Sequence, residues 1–150
     1  MQYTPPEALE TPTTIRQLTQ WMKANCNNFQ SYSIDGSWIW EGYGLKAEED
    51  CFVWYYTERG REEQLQRFDT EVDAVGFAYQ SILGDLTAWR HMIGFTKSKA
   101  GASKMEQTLL YRGVTSFTDR ILYGPKDYRY RVFVFGCDVH KALDLKSPEA

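Results

Sequence analysis

Cys51-Phe-Val-Trp-Tyr-Tyr-Thr-Glu-Arg-Gly-Arg-Glu-Glu-Gln-Leu-Gln-Arg-Phe68 decides the fold. Its first part is β-branched and aromatic, a composition that suits a pleated, half-buried strand. Arg59-Gly60 supplies a tight turn, because glycine takes positive φ at no steric cost. The return strand is weaker, with Leu65 and Phe68 as its strongly apolar residues. Arg61, Glu62, Glu63 and Arg67 suit an edge, where charge discourages pairing with other chains. Asp69-Thr70 then opens a helix. Val72, Val75, Tyr79, Ile82 and Leu83 form its apolar face, and Gly84 stands where a helix ends.

Working back toward the N-terminus, Glu48-Glu49-Asp50 reads as a water-exposed turn. It joins a strand beginning near Leu45 to the one at Phe52. Trp38-Ile-Trp-Glu-Gly-Tyr-Gly44 is aromatic and glycine-rich, and Trp38, Trp40 and Tyr43 are expected along one side of an extended segment. Such rings usually sit in a core; exposed, they are the residue types that anchor interfaces. Ser33 to Ser37 reads as a turn. Ile15, Leu18, Met22 and Cys26 mark a helix face, with Thr11 as the expected N-cap and Pro12 at the first helical position. Residues 1–11 are expected as a loose arm.

Toward the C-terminus, Arg90 to Phe95 is expected as a strand. Ser98 caps a third helix with Ala102, Met105 and Leu109 inward and Gly113 at its close. Ser116 to Leu122 and Tyr128 to Phe135 form a second hairpin around Gly124-Pro-Lys-Asp127. Val132 to Phe135 is apolar on both sides and suits a central strand. Residues 138–143 are expected to form a last helical turn, and 145–150 to fray. The class is α+β: a mostly antiparallel sheet from two hairpins, with three helices packed on it, in one domain spanning 1–150.

Composition narrows the function. The net charge of -3 and pI near 5.4 do not suit a general nucleic-acid binder. Residues 1–75 hold 13 Asp/Glu against 6 Lys/Arg, and residues 76–150 hold 7 against 11. Such a division can steer partners. Cys26, Cys51 and Cys137 form no C-x-x-C pair, which favours reduced thiols in a cytoplasmic protein. No basic segment leads an apolar run at the start, and no apolar run of about 18 residues occurs, so neither a secretory signal nor a membrane span is expected.

Chemistry-bearing patterns are sparse. Cys137-Asp-Val-His140 places a thiol and an imidazole at i,i+3, but a zinc site needs three or four ligands and no second cluster follows. Glu58 with Glu62 or Glu63 could pair for acid–base work, yet that needs burial which a hairpin tip does not give. Phosphate-cradling glycine motifs are absent from the sequence. Arg120, Lys126, Arg129 and Arg131 interleave with Tyr123, Tyr128 and Tyr130. The pattern supports an alternative reading as a small RNA-binding or RNA-processing factor, set against that of an amphipathic hairpin. No catalytic residue, metal or cofactor is expected.

Tyr55-Tyr-Thr-Glu-Arg-Gly60 and Phe68-Asp-Thr-Glu71 leading to Ala74 resemble small bacterial immunity proteins of polymorphic toxin systems, including contact-dependent growth inhibition. Arg90 to Phe95 and Arg131-Val-Phe-Val-Phe-Gly-Cys-Asp138 are similar to the later part of such proteins. The resemblance implies a non-enzymatic cytoplasmic protein that binds a cognate toxin domain, often a nuclease, and covers its active surface. A basic nuclease surface would be met by carboxylates. The expected contacts are Glu48, Glu49, Asp50, Glu58, Glu62 and Glu63, with Trp38 and Trp40 as apolar anchors. Neither membrane nor direct nucleic-acid contact is expected, and the sequence leaves the oligomeric state open.

Overall fold

The computed structural model describes residues 3–150, which fold as two compact α+β units, one ending at Trp89 and the other comprising Arg90–Ala150. Each expected hairpin belongs to its own sheet, so the single sheet is replaced by two. The sequence pattern identifies strands but not their partners.

In the first unit the order is α1 (Ile15–Ala24), β1 (Tyr32–Ser33), β2 (Glu41–Ala47), β3 (Phe52–Glu58), β4 (Arg61–Phe68) and α2 (Glu71–Leu83). The sheet order is β1-β2-β3-β4. β2, β3 and β4 are antiparallel neighbours, whereas β1 pairs with β2 in parallel. The turn between β3 and β4 holds Arg59 at φ 52° and Gly60 at φ 80°. Two successive positive φ values match the right-handed twist of the flanking strands. β4 is an edge strand, and every one of its residues before Phe68 is exposed. A bulge opposite Trp54 and Tyr55 interrupts its pairing, a further protection of an edge.

The helix starts follow local chemistry. In α2 the Thr70 side chain accepts from the Asp73 N–H at 3.2 Å. In α1 the cap is Thr14, not Thr11: its Oγ1 accepts from the Gln17 N–H at 3.1 Å. Gln17 Oε1 reaches back to the Thr13 N–H at 2.9 Å. The reciprocal arrangement needs Glu or Gln three residues after the cap, and Thr11 is followed at that distance by another threonine. Glu71 Oε1 also accepts from the Ile15 N–H at 3.0 Å, so a carboxylate of α2 caps α1.

α1 and α2 close one core over the sheet, with Leu18, Met22, Leu45, Trp54, Val75, Ile82 and Trp89 buried. Trp21 meets Tyr79 and Trp89 edge-on at 4.7 and 5.1 Å, the geometry the ring quadrupoles favour. On α2 the inward face is Ala74, Val75, Ala78, Tyr79 and Ile82. Val72, expected on that face, is exposed; the small alanines occupy the inner side instead. Residues 3–11 of the N-terminal arm have no regular structure but are fastened, and the first two residues of the arm lie outside those described. Trp21 Nε1–H donates to the Pro6 carbonyl, and the Ala8 N–H to the Tyr79 hydroxyl, each at 3.0 Å.

In the second unit β5 (Arg90–Thr96), α3 (Lys99–Tyr111), β6 (Ser116–Gly124) and β7 (Asp127–Phe135) form an antiparallel sheet in the order β5-β7-β6, with α3 on one face. Ser98 caps α3 through the Gly101 N–H at 2.9 Å. β7 is central, and Val132–Phe135 are all buried. Ile93, Ala102, Leu109, Val132 and Val134 make the core. Short 3-10 turns at Gly136–Lys141 and Leu143–Leu145 follow. The tail is held to β5: the Ser147 N–H donates to the Ile93 carbonyl at 2.7 Å.

Cys51 is a buried free thiol, whereas Cys26 and Cys137 are disulfide-bonded. The expectation of reduced thiols therefore holds for Cys51 alone, and cysteine usage no longer argues for a reducing compartment. Among the described residues no helix is long and apolar enough to cross a membrane.

Candidate functional site

One end of the first sheet gathers the residues of interest. β2 begins there at Glu41, the β3–β4 turn lies there, and the loop carrying Trp38 and Trp40 leads into it. The loop is anchored by backbone. The Tyr43 N–H donates to the Ser31 carbonyl at 2.9 Å. Gly42, at φ 147°, lies so near Ser31 that an added Cβ would fall 2.1 Å from its carbonyl oxygen. Only glycine permits that approach. The loop's fold then buries Ile39 and leaves Trp38 and Trp40 76% and 63% exposed, edge-on to each other at 5.9 Å.

Strand register sorts the carboxylates by face. Glu41 pairs with Glu58, which pairs with Arg61; Tyr43 pairs with Tyr56, which pairs with Glu63. Alternation puts all of these on one face. Three carboxylates, Glu41, Glu58 and Glu63, thus surround the Tyr56 ring. The Tyr56 hydroxyl donates to Glu41 Oε1 at 2.9 Å. That bond, loss of water, and the negative charges of Glu41 and Glu58 push the phenol up to about 12. Among the described residues none of these carboxylates lies within ion-pair distance of a cation.

The opposite face carries Lys46, Tyr55, Thr57 and Glu62. Lys46 Nζ lies 2.7 Å from Glu62 Oε2 and 5.1 Å above the Tyr55 ring. The Glu62 carboxylate holds the Lys46 ammonium above its ordinary range. Of the two partners considered for Glu58, Glu62 therefore points to the opposite face and Glu63 shares its face, because neighbours in a strand point apart.

Glu48, Glu49 and Asp50 lie in the β2–β3 turn, at the far end of β3. Seven residues of strand separate the two ends by about 20 Å. There the Arg67 guanidinium donates to Cys51 Sγ at 3.0 Å. The eight expected contact residues therefore divide. Trp38, Trp40, Glu58, Glu62 and Glu63 lie at one end of the sheet, Glu62 on the face opposite Glu58 and Glu63, while Glu48, Glu49 and Asp50 are remote from them. Trp38, Trp40 and Tyr43 do not form one row, since the two tryptophans precede the strand and Tyr43 stacks on Trp54 at 5.7 Å. Glu41 and Tyr56 were missed as site residues. The register of β2 on β3 finds them, but a strand expected to begin near Leu45, where β2 in fact begins at Glu41, leaves out the pairings that place them.

In the second unit the arginines of the Arg/Tyr hairpin are already paired. Arg131 forms a two-pronged contact with Asp119 at 2.8 and 2.6 Å. Arg129 does the same with Asp127 at 3.0 and 3.1 Å and stacks over Phe95 and Tyr123. Arg120 lies over the Tyr128 ring at 4.4 Å. Phosphate would have to displace the carboxylates from Arg129 and Arg131. Cys137 and His140 lie in the 3-10 turn after β7. Among the described residues no three His, Cys, Asp or Glu are grouped to hold a metal.

No family model matches the chain, and neither a curated protein nor a solved structure shows significant similarity to it.

Proposed function

We propose that this protein is an immunity protein that binds a cognate toxin domain, such as a nuclease, and covers its active surface. The contact lies at the hairpin end of the first sheet. The observation that carries the reading is the pair Trp38 and Trp40, two large rings held in water by a glycine-anchored loop. Exposed tryptophans on a fixed backbone suit hot spots, because they bury much area at little entropic cost. Glu41, Glu58 and Glu63, at the same end of the sheet, suit a basic partner surface by steering and by pairing. The toxin assignment rests on the immunity-protein resemblance of Tyr55 to Gly60, Phe68 to Ala74 and the two later segments. The protein acts in the cytoplasm, where a nuclease meets its substrate, and breaks no bond itself.

The test is co-expression with a toxin domain encoded beside its gene. Wild-type protein is expected to restore growth, and the double variant Trp38→Ala, Trp40→Ala to restore it poorly while remaining folded. Full protection by that variant rejects this surface. No protection by the wild type against any neighbouring toxin rejects the immunity reading.

A further inference from the structure

Between the Trp38 loop and the open face of β2–β4 runs a groove of about 300 Å³, lined by Trp38, Ile39, Tyr55, Thr57 and Glu62 among others. Its size is at the small end for ligand pockets. Its walls combine ring surface, an aliphatic side chain, a hydroxyl and a carboxylate. The Tyr55 ring is fixed, pressed on Gly44 so closely that a Cβ there would lie 2.1 Å from it. The Tyr55–Glu62 pair already holds a cation, the Lys46 ammonium, over the ring and against Glu62 Oε2. Glu62 is half exposed, so its other oxygen remains open to a second donor.

We infer that this groove receives an arginine side chain of the bound protein, with Lys46 as the internal competitor for Glu62. The inference rests on the protein-binding reading of this end of the sheet. A guanidinium fits better than an ammonium. Its plane can stack on the exposed Trp38 ring while its N–H fork meets the carboxylate. Ile39 offers the methylene stem an apolar wall. An arginine partner also agrees with the carboxylates on the other face of the same strands.

A small probe separates this inference from the wider one. Isotope-labelled protein is titrated with Nα-acetyl-arginine methylamide, and in parallel with the uncharged citrulline analogue, following the Trp38 indole N–H and the Tyr55 ring by NMR. Saturable shifts at both positions with arginine alone are expected. They should vanish in Glu62→Gln. They should tighten about two- to fivefold in Lys46→Met, the size of an exposed ion-pair competitor. Equal shifts with citrulline, shifts elsewhere, or weaker binding by Lys46→Met overturn the inference. Circular dichroism confirms that the variants are folded. Since the probe is not the toxin, a negative result leaves growth protection to be judged by its own assay.

Discussion

Trp89 is fully buried, and its indole Nε1–H donates to the Ile82 carbonyl at 2.8 Å; Trp38 stands in water against Trp40. The same substitution should therefore act in opposite ways. Trp89→Ala is expected to cost about 3–5 kcal/mol in urea unfolding, from cavity and lost transfer energy. Trp38→Ala should stay within about 0.5 kcal/mol of wild type. It should nevertheless weaken partner binding about thirtyfold, as a hot spot does. Equal destabilisation by both would contradict the placement of Trp38. Tyr56 gives a second residue-scale check. Its folded pKa is raised from 10.0 to about 12, so the group stabilises the fold fully below pH 10. That contribution is lost as pH rises through 12. A tyrosine titrating late by NMR, and earlier in Glu41→Gln, is the expected result. No change in Glu41→Gln would show that the carboxylate does not govern it.

At the scale of elements, local signals explain what could be read in advance. The β3–β4 turn was legible because Gly60 follows a β-branched, aromatic run, and β7 because Val132 to Phe135 is apolar on both faces. α2 and α3 were legible from Thr70 and Ser98 at their starts. β1 was not, because two residues carry no period, and its parallel pairing depends on the Ser31–Tyr43 backbone bond. The true cap of α1 had a visible signature in Thr14 and Gln17 that the proline at position 12 outweighed. Two substitutions test these devices. Thr14→Ala should cost about 1 kcal/mol, the usual worth of such a cap, and Thr11→Ala much less, measured by thermal unfolding. Gly42→Ala should cost about 1–3 kcal/mol or more, since it strains the backbone and meets Ser31. It should also loosen the tryptophan loop, read as a Trp38 fluorescence change. A Gly42→Ala protein with unaltered stability and spectrum would remove the account of how the loop is held.

For the whole molecule, charge counted along the chain was a poor guide to surfaces. The acidic first half placed its carboxylates at two ends of one sheet and on both of its faces. The basic second half has Arg129 and Arg131 joined to Asp127 and Asp119. Sequence proximity grouped Glu58, Glu62 and Glu63, whereas register groups Glu41, Glu58 and Glu63. That distinction supplies the measurement that tests the central claim. Two triple variants are compared for affinity to the toxin domain that the protein neutralises, by calorimetry at matched salt. One reverses Glu41, Glu58 and Glu63 to lysine, and the other reverses Glu48, Glu49 and Asp50. The account predicts a loss of about a hundredfold or more for the first, as removed steering and pairing imply, and near wild-type affinity for the second. Wild-type affinity in the first, or the larger loss in the second, would contradict it.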